Sequence, residues 1–115
     1  MEFSYLIEIR DSILVIKVSG KILSEEQTKL LDRELSEKVN EKLYNVIIDF
    51  ANLEHINSVG IGFLIRCLTK ARVHSGDLVI CHVQGNVLKL FEIAKLNQIL
   101  IIHPSLEDAI NFLNK

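Results

Sequence analysis

Residues 44–50, Tyr-Asn-Val-Ile-Ile-Asp-Phe, constrain the fold more than any other stretch of the chain. The run is short and almost wholly apolar, and Val46, Ile47 and Ile48 would point to alternate sides of an extended backbone. A strand built this way has to be covered on both faces, which is the signature of a parallel sheet with helices packed on it. Directly after it, Ile56-Asn57-Ser58-Val59-Gly60-Ile61-Gly62 opens an amphipathic segment. Strand followed by helix is therefore the unit to look for elsewhere in the 115 residues.

The unit recurs. Phe3, Tyr5, Ile7 and Ile9 alternate with Ser4, Leu6, Glu8 and Arg10, a period of two that predicts a strand. Asp11-Ser12 reads as a tight turn into a second strand over 13–18, with Gly20 as its end, so the chain opens with a hairpin. Ser24-Glu25-Glu26-Gln27 has the form of a capping box. Leu31, Leu35 and Val39 then recur at helical spacing to about Lys42. The helix after residue 56 carries Ile61, Leu64, Ile65 and Leu68 on one stripe and ends near His74-Ser75-Gly76. Strands are expected over 78–83 and 99–102, with a helix over 86–96 between them. Pro104-Ser105 starts a last helix, with Ser105 as N-cap and Leu106, Ala109, Ile110 and Leu113 on one face. The order β-β-α-β-α-β-α-β-α predicts one α/β domain over 1–115, a mixed sheet with parallel strands joined by right-handed crossovers.

Several function classes drop out on composition. Net charge is −2 and the 13 lysines and arginines are scattered, which gives no footprint for nucleic acid. No apolar run reaches the roughly 18 residues that span a bilayer. Met1-Glu2-Phe3-Ser4-Tyr5 has no basic n-region, so a cytoplasmic protein without membrane insertion is expected. Cys67 and Cys81 sit in apolar segments, where free buried thiols are the rule. His55, His74, His82 and His103 lack metal-ligand spacing, and Cys81 and His82, adjacent on a strand, should face opposite ways. Asp49 stands at a strand end but lacks the early acidic pair of a receiver domain, and it shows no pairing with Glu54. The glycines do not form a dinucleotide fingerprint, because its third glycine falls on Ile65. Neither a nucleophile–base constellation nor a phosphate-binding loop is visible, so no catalytic residue, metal or cofactor is expected.

Ser58 is different. It lies where a helix begins, and there unpaired N–H groups and the helix dipole favour added negative charge. Phosphorylation would add roughly −1.5 to −2 charges that such a site tolerates. A docked partner would not tolerate them. The plainer reading is that Asn57 or Ser58 only caps the helix. Gly60 and Gly62 either let a partner approach closely or let the helix start pack on the sheet. Val59 and Phe63, beside Arg66 and Lys70 and opposite the apolar stripe, suggest a contact surface, unless a neighbouring loop covers Phe63.

Four stretches in order carry a family resemblance. They are Val18-Ser19-Gly20-Lys21-Ile22, the run from Val46 to Leu53, Asn57-Ser58-Val59-Gly60-Ile61-Gly62, and the run from Val87 to Leu96; the tail Ser105-Leu106-Glu107-Asp108-Ala109 fits too. Together they resemble the sulfate transporter and anti-sigma factor antagonist (STAS) domain. For a bacterial domain standing alone, the resemblance implies an anti-sigma factor antagonist. Such a protein binds an anti-sigma factor that is also a serine kinase and so frees the sigma factor. The kinase phosphorylates a serine in an Asp-Ser-Ser/Thr-Gly-Leu-Gly motif, which ends binding, and a phosphatase restores it. Matched residue by residue, the phosphoacceptor is Ser58. The preceding acid is Asn57 here, the second hydroxyl is Val59, and the acid of a Gly-x-Leu-Asp stretch is Leu23. The expected partner contact is Leu23, Asn57, Ser58, Val59, Gly60, Gly62 and Phe63. A second reading takes the three departures at face value: a STAS module never phosphorylated, serving as an adaptor in a transporter or signalling assembly.

Overall fold

The structure is a computed structural model and describes residues 2–114. A five-stranded sheet runs in the simple order β1-β2-β3-β4-β5. β1 (Ser4–Arg10) pairs antiparallel with β2 (Ile13–Ile22), and β3 (Asn45–Ile56), β4 (Leu78–Cys81) and β5 (Ile101–His103) add in parallel. The helices are α1 (Glu25–Asn40), α2 (Ser58–Val73), α3 (Gly85–Ile93) and α4 (Leu106–Leu113). The expected mixed sheet and element order are present, with one addition, a 3₁₀ turn at Leu96–Gln98 before β5.

The opening hairpin turns on Asp11 and Ser12, with φ of 51° and 65°. Two successive left-handed residues match the right-handed twist of the flanking strands, as type I′ turns do. Gly20 does not end β2. It sits inside it at φ 88°, at an irregularity in the β2–β3 register, and a Cβ there would fall 2.1 Å from the Glu2 carbonyl oxygen. The glycine lets the strand bend and continue to Ile22, which brings Leu23 to the end of β3.

Every residue of β3 from Val46 to Phe50 is buried, as the two-sided pattern requires. One face of the sheet supplies Leu14, Ile16, Val46, Ile48, Phe50, Leu78 and Ile80 to a core completed by α1, α2 and α3. Right-handed crossovers between sequential parallel strands put all three helices on that side. The other face presents Ile13, Val15, Ile47, Val79 and Cys81 to Ala109, Leu106, Ile110 and Leu113 of α4.

Candidate functional site

Asn57 adopts an extended backbone at the N-cap of α2, and its Oδ1 accepts a hydrogen bond from the Val59 N–H at 3.0 Å. Its Nδ2 donates to the Leu23 carbonyl oxygen at 3.0 Å, and its own N–H donates to the Ile22 carbonyl. One side chain thus caps the helix and ties it to the loop after β2. The other side of that loop is held by Gln27, whose Oε1 accepts from the Leu23 and Ser24 N–H groups (2.7 and 2.9 Å) while Nε2 donates to the Lys21 carbonyl. The capping box read at Ser24 therefore also fixes the loop that carries Leu23.

Ser58, the first residue of α2, is exposed, and Leu23 is 44% exposed beside it. Val59 and Gly62 are half-buried. An open groove adjoins this rim, lined by Lys21, Leu23, Glu54, His55, Gln84 and Asn86. Gln84 donates to the Ala51 carbonyl at 3.0 Å, which anchors the turn before α3 to β3.

Two expected contact residues are not on this surface. Phe63 is completely buried and belongs to the main core, so it does not face outward. The buried stripe of α2 is Gly60, Phe63, Leu64, Cys67, Leu68 and Ala71, while Ile61 and Ile65 are only half-buried. The helix is turned from the expected orientation because it packs against both α1 and the sheet. Arg66 and Lys70, read as an outward charged face, pair with Asp32 of α1 at 2.8 and 3.5 Å. Gly60 is buried as well: a Cβ there would lie 2.3 Å from Ile56 Cγ1 and 3.0 Å from Ile22 Cγ2. Of the two uses open to it, close packing at the helix start is the one present. Gly62 has no such neighbour, the nearest atom to an added Cβ being Arg66 Nη1 at 3.7 Å.

A second polar group lies on the opposite face of the sheet. Asp49 and Cys81 are paired across β3 and β4, and the chain turns at His82 with φ 58° as β4 ends. That left-handed turn removes the strand alternation and swings the ring back, so His82 Nδ1 reaches Asp49 Oδ1 at 2.8 Å. The expectation that Cys81 and His82 point apart is thus wrong: ligand-capable atoms of Asp49, Cys81 and His82 all lie within 4.8 Å of one another. Burial raises the Cys81 thiol to about 12, with Asp49 adding to the effect. Such a thiol is protonated at neutral pH and is no activated nucleophile.

Comparison with known proteins follows the same lines. A curated relative from Bordetella bronchiseptica, BtrV, which is named an anti-sigma factor antagonist, is 26% identical over 99 residues, covering 86% of this chain and 84% of that protein. A Thermotoga maritima protein whose structure bears the same name is 16% identical and superposes with a TM-score of 0.86 over 96% of this chain and 95% of its own. Bacillus SpoIIAA in its phosphorylated form is also 16% identical, with a TM-score of 0.73 over 94% of this chain and 97% of its own. At such identities the structural likenesses speak for the fold. The family model of the STAS domain matches residues 4–109, and the chain belongs to the STAS domain family.

Proposed function

We propose that this domain is an anti-sigma factor antagonist, a binding protein rather than an enzyme, working in the cytoplasm. It docks on an anti-sigma factor kinase through Leu23, Asn57, Ser58 and Val59, and phosphorylation of Ser58 releases it until a phosphatase removes the group. The observation that carries this reading is the exposed Ser58 at the first position of a capped helix, on a rim shared with exposed Leu23. The BtrV relative and the phosphorylated SpoIIAA structure support it. No helix of the described residues is long and apolar enough to cross a membrane.

The physics of the switch is local. A phosphate on Ser58 meets the free N–H groups of the first turn of α2, so the modified domain stays folded. In a complex the same dianion sits against a partner surface and must be desolvated or repelled. A loss of about 3 kcal/mol weakens binding more than a hundredfold, since each 1.4 kcal/mol is tenfold.

The adaptor reading keeps one observation in its favour. Asn57 donates to the Leu23 carbonyl, a bond for which an ionised aspartate has no donor, so this rim is built without the acidic neighbours of the phosphoacceptor motif. One experiment separates the two. The purified protein is incubated with the anti-sigma factor kinase and ATP, and binding of wild type, Ser58→Ala and Ser58→Asp is compared. Phosphate on Ser58, tight binding by Ser58→Ala and at least about a hundredfold loss in Ser58→Asp support the switch. No phosphate and equal binding by all three would leave the adaptor.

A further inference from the structure

We propose that Asp49, Cys81 and His82 form a binding site for a zinc-type divalent ion, separate from the Ser58 rim. The donor set is one carboxylate oxygen, one sulfur and one imidazole nitrogen, the combination that suits zinc and that magnesium and calcium, which take oxygen ligands, do not favour. Three protein ligands leave a fourth coordination position for water, as at open zinc sites.

Three features of the fold argue that this is a built site. The first is that two of the three are held by the sheet: Asp49 and Cys81 are register partners on neighbouring parallel strands, so their separation is fixed by backbone pairing. Asp49 is also oriented from behind, its Oδ1 accepting the Ala51 N–H at 2.9 Å. Outer hydrogen bonds of that kind fix the direction of a metal ligand.

The second is charge. Asp49 is 6% exposed, and the apolar side chains packed around Cys81 offer no solvent to a bare ion. A divalent ion with one carboxylate and one thiolate is neutral. Lys17, the register partner of Asp49 on β2, lies beside this pair, with its ammonium 3.3 Å from Glu8, a carboxylate it shares with Arg10.

The third is access. The His82 side chain is 35% exposed, so the ion has a way in at the end of β4 while Cys81 remains covered.

Binding exchanges protons in a defined way. Without metal, a hydrogen bridges His82 Nδ1 and Asp49 Oδ1. The ion takes its place, the ring proton moves to Nε2, and Cys81 loses its thiol proton to solvent. No electron transfer is involved.

The test uses the full chain and cobalt(II) and zinc(II) as chloride salts. One cobalt ion per chain, with a thiolate-to-cobalt charge-transfer band in the near ultraviolet that zinc abolishes, is the expected result. Cys81→Ser should lose the band, and His82→Gln should weaken zinc by more than the roughly 10–100-fold that an outer-shell change costs. Magnesium and calcium should not compete. Circular dichroism of each variant without metal checks the fold, and His82→Gln, at a partly exposed turn, serves if Cys81→Ser does not fold. No cobalt band in the wild type overturns the proposal. So does a band that survives in Cys81→Ser, which would belong to Cys67, or zinc affinity unchanged in His82→Gln.

Discussion

Asn57 combines two hydrogen bonds of opposite polarity: Oδ1 accepts from Val59 and Nδ2 donates to the Leu23 carbonyl. Aspartate caps a helix equally well. It has no donor, however, and would set a carboxylate against the Leu23 carbonyl oxygen. Asn57→Asp should therefore lower stability by about 1 kcal/mol, the net worth of one such bond, although the cap is kept. Asn57→Ala, which loses both, should cost about 2 kcal/mol. Urea unfolding midpoints of the three proteins check this, and an Asn57→Asp variant as stable as wild type would show that the tie to Leu23 contributes nothing. The cap was legible in the sequence because it spans two residues. The tie was not, because its partner lies 34 residues away.

Within α2, the two glycines of the Asn-Ser-Val-Gly-Ile-Gly motif are expected to behave oppositely. Gly60→Ala drives a methyl into Ile56 and Ile22 in a packed core and should destabilise by about 1–3 kcal/mol. Gly62→Ala meets only ordinary contact with Arg66 and should stabilise by about 0.4–1 kcal/mol, through helix propensity and a less flexible unfolded chain. Phe63→Ala should cost about 3–5 kcal/mol, as for a wholly buried aromatic ring. Thermal or urea unfolding of the three variants tests the packing of the helix, and a stable Phe63→Ala would return that residue to the surface. Periodicity identified α2 as a helix but misjudged its rotation. Ile61 and Ile65 satisfy the apolar pattern as well as Phe63 and Leu64 do, and only the presence of α1 on one flank decides which set is buried.

For the whole molecule, the thiols and Tyr5 set an alkaline limit. Burial pushes Cys67 up and Cys81 up to about 12 from an ordinary 9.0. Tyr5 is raised to about 12 from 10.0 by burial and by the hydrogen bond its hydroxyl donates to Glu34 at 2.6 Å. The unfolded chain gives up these protons at lower pH than the folded one. Their contribution is therefore complete below about pH 9 and is lost as pH rises towards about 12. Urea midpoints should hold steady up to about pH 8.5 and fall beyond it. A midpoint that stays flat to about pH 11 would mean the thiols ionise inside the fold.

The sequence by itself determined whatever depends on near neighbours. The tight turn at Asp11-Ser12, the helix starts at Ser24, Asn57 and Ser105, the two-sided burial of β3 and the strand–helix order all rest on residues a few positions apart. Boundaries slipped where a distant contact decides them, as when Gly20 let β2 run on to Ile22 against β3. Only the tertiary structure brought Leu23 to Asn57, or His82 to Asp49 and Cys81. Neighbouring parallel strands are separated by a whole crossover helix, so residues paired across them stand 22 to 34 positions apart in the chain. No local pattern of side chains reports which of them will meet.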